Sequence, residues 1–451
     1  MNILEKFKAF LSTKFELLFN EGLRKNLLNA LPFWIGAFIS GTIAVVYAKL
    51  FFWAESGTHF IYSKTHTSFL FITPFCFAIA WWLVNKYSPF SRGSGIPQVS
   101  AAIELSNPKQ NHKVNFLLNI RTIYIKILSS LLMVLGGGVI GREGPTIQIS
   151  ASIFKVINDL LPNWYPKISR RNMIVTGAAS GLASAFNTPL GGIVFAIEEL
   201  TKTHFSLFKS ALLTGVIIAG LTALNFLGPY LYLGYPQLDN LSAWMVIAII
   251  PLALLCGIVG AGTGSIILFI LGKKKALKKN YQKLLYVILC GLIIAALGIY
   301  IDSKAFGSGK EIMISTLFTN NKNLNWYIPI LRIFGSIISF SVGASGGIFA
   351  PSLSAGASIG AVFAGWIHLS STETNLFILC GMTSFLTSIT RSPFTSSILV
   401  LEMTNSHNVI FYIMLSALTS NLIAAVISRD SFYDQLKNQY LKEIDSMSHE
   451  S

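Results

Sequence analysis

The residues able to do chemistry in this chain are a few charged and hydroxyl groups set among glycines. "VIGREGPTIQ" (139–148) puts Arg142 and Glu143 side by side, with a glycine on each flank and Pro145 behind them. A glycine-rich turn followed by proline is how a helix begins. Proline suits the first turn, where its missing N–H costs nothing, and glycine lets backbone approach a ligand closely. A helix start carries unpaired N–H groups and the positive end of the dipole, which together make an anion site. "GSGIP" (93–97) and "GASGGIFAP" (343–351) repeat this arrangement, and "FGSG" (306–309) repeats its glycines without the proline. A second pair of carboxylates, Glu198 and Glu199, ends the apolar run "IVFAIEEL", with Lys202 within ion-pairing reach on a helix.

The segments that must position these groups are apolar enough to lie in a bilayer. Of 451 residues, 53% are hydrophobic and 12% charged, against about 25% charged in a soluble domain; mean hydropathy is +0.61. Runs near the roughly 20 residues needed to cross a membrane recur at Leu31–Trp53, Ser68–Val84, Leu207–Leu233, Trp244–Leu271, Leu285–Ile301 and Val409–Ile427. The chain reads as an all-α polytopic membrane protein. The net charge of +15 does not imply nucleic acid: its cations gather in short segments such as Lys6, Lys8, Lys14, Arg24, Lys25 and "KKKALKK" (273–279), which marks the cytoplasmic side. No cleavable signal peptide is visible, and residues 1–28 read as an amphipathic helix on the cytoplasmic face. Glycine and proline, 36 and 15 in number, interrupt many apolar runs. Backbone that leaves a helix at membrane depth must be buried in protein or line an aqueous cavity.

The chain also repeats itself. Gly177–Leu200 aligns without a gap on Gly381–Thr404, 204 positions later, with Pro189/Pro393 and Glu198/Glu402 identical. "GREGP" (141–145) aligns with "GIFAP" (347–351) at an offset of 206. Compositional bias accounts for matched glycines but not for a proline and a glutamate held in register. Two halves follow, 29–234 and 241–435, with a short cytoplasmic tail at 436–451. Internal repeats of this kind in transporters place the site between the halves at the midplane. Glu198, matched across the repeat, reads as structural. Glu199 reads as functional, because carboxylates inside a membrane usually are; the alternative is an ion pair with Lys202.

"GSGIP", "GREGP" and "GGIFAP", in that order, together with "RSPFTSSILVLEMT" (391–404) and Tyr433 in "DSFYDQ", resemble the signature of the CLC family of chloride channels and transporters. The resemblance covers roughly residues 30–435. It implies a CLC-type fold of two inverted repeats of tilted, broken helices and a homodimer with one pore per subunit. It implies chloride bound by the Ser94 and Tyr433 hydroxyls and by the backbone N–H groups of Ile348 and Phe349, with an inner site on the backbone around Gly93 and Ser94. Hydroxyls and amides hold an anion weakly enough to release it, as conduction requires. It makes Glu143 the gate and proton acceptor, competing with chloride when charged and leaving when protonated. It makes Glu199 the internal proton-transfer residue, where channel members carry an apolar side chain. Arg142 and Lys126 supply positive potential.

The implied activity is chloride/proton exchange in the inner membrane of a bacterium, with a passive chloride channel as the alternative. No cofactor is implied beyond chloride as bound substrate. Gln98 and Ser100 depart from relatives that carry acidic residues after "GSGIP", which removes possible partners of Arg142. Ser94 argues against nitrate preference, and the intact first two motifs argue against fluoride export. The residues after Tyr433 are too few for paired nucleotide-binding CBS domains, so no nucleotide regulation is expected there. An intramembrane enzyme is disfavoured: His59, His66, His112, His204, His368, His407 and His449 are scattered, and Cys76, Cys256, Cys290 and Cys380 lie in apolar runs without metal spacing.

Overall fold

A computed structural model describes residues 21–201, 209–228, 231–319, 322 and 324–450. The first twenty residues of the expected amphipathic helix, and Lys202, lie outside the described residues. The helices are α1 (Glu21–Lys64), α2 (Phe69–Tyr87), α3 (Ile96–Leu105), α4 (Ile120–Leu135), α5 (Glu143–Leu160), α6 (Arg170–Phe186), α7 (Pro189–Phe195, continued by a π-helical turn Ala196–Thr201) and α8 (Lys209–Leu227) in the first half. The second half holds α9 (Met245–Lys275), α10 (Asn280–Tyr300), α11 (Lys310–Phe318), α12 (Tyr327–Ser341), α13 (Phe349–Trp366), α14 (Ser371–Thr390), α15 (Pro393–Thr404), α16 (Ile410–Ile427) and α17 (Phe432–Glu450).

Among the described residues, seven helical segments are long and apolar enough to span a bilayer. Six coincide with the apolar runs read from the sequence. The seventh, Asn111–Leu135, carries Arg121 and Lys126, which interrupt its apolar run. The chain is a multi-pass integral membrane protein. Helix α1 runs unbroken through residue 28, so residues 21–28 extend the first span rather than forming a separate element. Helix α17 likewise runs through residue 435.

Charge placement fixes the direction of the two halves. Two cations, Arg24 and Lys25, stand before the first span and one, Lys64, at its far end, whereas α9, the counterpart of α1, ends on Lys273, Lys274 and Lys275. Cations beside spans mark the cytoplasm, so the leading helices of the two halves run in opposite directions and the repeats are inverted.

The centre of the molecule is α5, α6, α13 and α14, whose residues are almost all buried. Small residues let these backbones touch, since membrane helices gain little from hydrophobicity and associate through close packing. A Cβ on Gly356 of α13 would overlap the Gly381 carbonyl of α14.

The two halves meet in reciprocal contacts. Gly141 N donates to Gly347 O and Gly347 N to Gly141 O, both at 2.8 Å, joining repeat-equivalent residues. Paired contacts of this form are the mark of a two-fold axis, and α5 and α13 both begin beside it. The "GSG" turns before α3 and α11 share their backbone shape: φ is +63° and +109° at Gly93 and Gly95, +70° and +85° at Gly307 and Gly309. L-residues with a Cβ rarely adopt such values.

Candidate functional site

Three helix starts converge. The turn before α3 is tied to the turn before α13: Gly93 N donates to Ala344 O at 2.7 Å and Gly346 N to Gly93 O at 3.1 Å. The turn before α13 is tied to that before α5 through Gly141 and Gly347. Gly144, in the first turn of α5, faces Ser94 so closely that a Cβ there would overlap the Ser94 hydroxyl. "GSGIP", "GREGP" and "GGIFAP", the last of them in the other half of the chain, thus form one braced unit.

Ser94 and Tyr433 are each 1% exposed, and their hydroxyl oxygens lie 3.5 Å apart. That is the weak limit of an O–H···O bond, and each hydroxyl retains acceptor and donor capacity. Tyr433, in the first turn of α17, stacks on Phe349, with ring centroids 6.2 Å apart and planes at 11°. Ile348 and Phe349 open α13, where the first N–H groups lack intrahelical acceptors. The structure therefore brings Gly93, Ser94, Ile348, Phe349 and Tyr433 together, three of them buried at a helix start and two by their hydroxyls.

Glu143 sits at the first position of α5, 1% exposed. Tyr232 donates to its Oε1 at 3.3 Å. Its Oε2 makes no hydrogen bond. That oxygen is folded back over Gly141, whose Cβ position is also 3.2 Å from Ala350 N in the first turn of α13. The carboxylate is thus presented to the start of the facing half-helix. Arg142, beside it, donates to Ala185 O at 3.4 Å. Gln98 spends its amide on Phe90 O and Arg92 O, bracing the turn rather than meeting Arg142.

Lys126 is fully buried and donates to Ser91 O at 3.0 Å and Gly93 O at 2.8 Å. Besides adding charge, it clamps the carbonyls of the first "GSG" turn. Arg332, its repeat counterpart on α12, does the same for the second, donating to Lys304 O, Phe306 O and Gly307 O at 3.2, 3.0 and 3.0 Å. Arg332 was legible at the offset of 206 that aligns the two glycine motifs. Tyr232 carried no such signal, since it lies at the very end of the first half, outside the stretches that align across the repeat.

Glu199, 6% exposed, accepts a 2.6 Å hydrogen bond from Ser392 Oγ. A narrow cavity beside it is lined by Phe195, Thr390, Ser392, Thr395, Phe349 and Tyr433. Ser392 and Tyr433 thus border one narrow space beside Glu199. Glu198 points elsewhere, accepting from Phe394 N at 3.1 Å and Thr395 N at 2.7 Å at the start of α15.

On the cytoplasmic side, Glu443 of α17 pairs with Arg92, next to Gly93, and with Lys275 at 2.7 Å. Burial pushes the Glu443 carboxyl up, but Arg92 and Lys275 outweigh it and hold the group below the usual range.

The chain is 28% identical over 90% of its length to the H(+)/Cl(-) exchange transporter ClcA of Citrobacter koseri, covering 88% of that protein. It is 29% identical over 79% of its length to ClcA of Cronobacter sakazakii, covering 76% of it. Among solved structures, a slow cyanobacterial Cl-/H+ antiporter matches with a TM-score of 0.79 at 23% identity, over 92% of this chain and 98% of that one. A CLC-type fluoride/proton antiporter matches with a TM-score of 0.76 at 20% identity, over 91% and 98%, so the fold alone does not choose the anion. The profile of the voltage gated chloride channel family covers residues 76–425, and with the three motifs assembled into one site the chain belongs to that family.

Proposed function

We propose that this protein exchanges chloride for protons across the inner membrane of a bacterium, with the Glu143 carboxylate competing with chloride for the same helix starts. The observation that carries the reading is the seat of Glu143: a buried carboxylate with one unbonded oxygen presented to the first turn of α13. An anion in that place is favoured by the helix starts, and so is the carboxylate. Charged, Glu143 closes the outer end of the path. Protonated, it loses its attraction to the helix starts, swings out and admits chloride.

Chloride is held by the Ser94 and Tyr433 hydroxyls and the N–H groups of Ile348 and Phe349, with an inner position on the backbone at Gly93 and Ser94. Glu199 passes protons from the cytoplasm along the hydroxyl-lined cavity toward Tyr433. Exchange by the relatives named above supports coupling. The reading includes a homodimer with an independent pore in each subunit. The test is simultaneous recording of chloride and proton flux from purified protein in liposomes. Uphill proton movement driven by a chloride gradient is expected; chloride flux with no proton movement replaces the exchanger by a passive channel.

A further inference from the structure

We propose that Tyr232, braced by Lys310, is a positioning residue that holds the Glu143 carboxylate in its seat and sets the external pH at which it leaves. This rests on Glu143 being the gate. Tyr232 is 3% exposed, and its hydroxyl donates to Glu143 Oε1 at 3.3 Å, leaving Oε2 turned toward α13. Three contacts fix the phenol. Phe186 of α6 meets its ring edge-on at 5.1 Å between centroids. The next residue donates from Leu233 N to Met403 O on α15 at 3.1 Å. The Lys310 ammonium, at the first position of α11, stands 4.3 Å from the ring centroid.

A cation over the ring is attracted to the π-face and draws electron density from the phenol, which strengthens its hydroxyl as a donor. Lys310 is itself held in place, because the turn before it is tied down by Arg332 and by Glu55, which accepts from Ser308 N at 2.6 Å and Ser308 Oγ at 2.8 Å. The charged and titratable groups acting on Glu143 are Arg142 on its own turn, Lys310 on α11, Glu55 and Tyr47 on α1, and Tyr433 on α17. Tyr232 donates a hydrogen bond directly to the carboxylate.

A donor to the charged carboxylate favours that form. Removing it makes protonation easier, so the gate opens at higher pH. The experiment is chloride flux in liposomes as a function of external pH. Tyr232→Phe keeps the ring but loses the hydroxyl, and the midpoint should move about one pH unit toward alkaline. Lys310→Met should move it the same way, and Lys310→Arg should restore it. In a Glu143→Gln background, Tyr232→Phe should change nothing. An unmoved midpoint in Tyr232→Phe overturns the proposal. So does an equal effect of Tyr232→Phe in the Glu143→Gln background, which would mean packing alone. If Glu143→Gln itself leaves proton coupling and pH dependence intact, the gate reading falls, whatever Tyr232→Phe does, and this proposal with it.

Discussion

Glu198 and Glu402 each cap the helix that carries the other. Glu198, at the end of α7, accepts from Phe394 N and Thr395 N at the start of α15, and Glu402, near the end of α15, accepts from Leu190 N at 3.1 Å and Gly191 N at 2.6 Å at the start of α7. The four donors are equivalent under the same repeat that relates the two glutamates. A carboxylate at a helix start meets both unpaired N–H groups and the positive dipole end. Glu199, one residue along, accepts from Ser392 instead. Adjacent carboxylates thus serve different ends.

Glu198→Gln and Glu402→Gln should therefore cost similar stability, about 0.5–2 kcal/mol each as for loss of a cap, and both should leave proton coupling in place. Thermal unfolding in detergent and flux in liposomes check this. Loss of coupling in Glu198→Gln alone would make it part of the proton path.

Glu199→Gln should abolish proton transport while chloride flux persists and still responds to external pH through Glu143. Glu143→Gln, fixed in the neutral form, should abolish proton transport and remove that pH response as well. Uphill proton movement by Glu199→Gln would reduce Glu199 to an ion-pair residue.

Ser94→Ala combined with Tyr433→Phe should weaken chloride binding, since each hydrogen bond to a charged ion contributes about 1.5–3 kcal/mol. Calorimetric titration with chloride reads the loss. An unchanged affinity would reject both hydroxyls as ligands.

Lys126→Met should destabilise the protein by roughly 1–3 kcal/mol, because the Ser91 and Gly93 carbonyls keep Ser345 Oγ and Gly346 N as donors but each lose one hydrogen bond, at about 0.5–1.5 kcal/mol apiece. Arg332→Met should do the same at the outer turn, but only Lys126→Met should also lower chloride affinity, since its turn carries Ser94. Unfolding temperature and calorimetry separate the two effects.

The cytoplasmic helix α17 should loosen in acid. Glu443 is held below its ordinary range in the folded protein. Its contribution is therefore present above the unfolded carboxylate value, near 4.3, and is lost as pH falls through the lower folded value. Hydrogen exchange across residues 432–447 should accelerate below about pH 4, and Glu443→Gln should bring that faster exchange to neutral pH.

Much of this architecture is legible in one dimension because its causes are local or periodic. Bilayer crossing demands long apolar runs, helix starts demand glycine and proline, and a duplicated half leaves a constant offset. Glu143 and the motif glycines stood out that way, Ser94 and Glu199 were singled out through the family resemblance, and the matched pair Glu198/Glu402 already announced a structural role. The span Asn111–Leu135 was obscured because Arg121 and Lys126 break its hydropathy, and only burial against the carbonyls of Ser91 and Gly93 explains a cation there.

What the tertiary structure alone decided are contacts between residues far apart in the chain: Ser94 with Tyr433, Ser392 with Glu199, Tyr232 with Glu143 and Lys310. A hydrogen bond depends on tenths of an ångström and on direction, whereas sequence spacing constrains neighbours only within a helix or turn. Tyr232 shows the limit best. It sits at the end of the first half, outside the stretches that align across the repeat, and acquires its place beside Glu143 only when α6, α11 and α15 close around it.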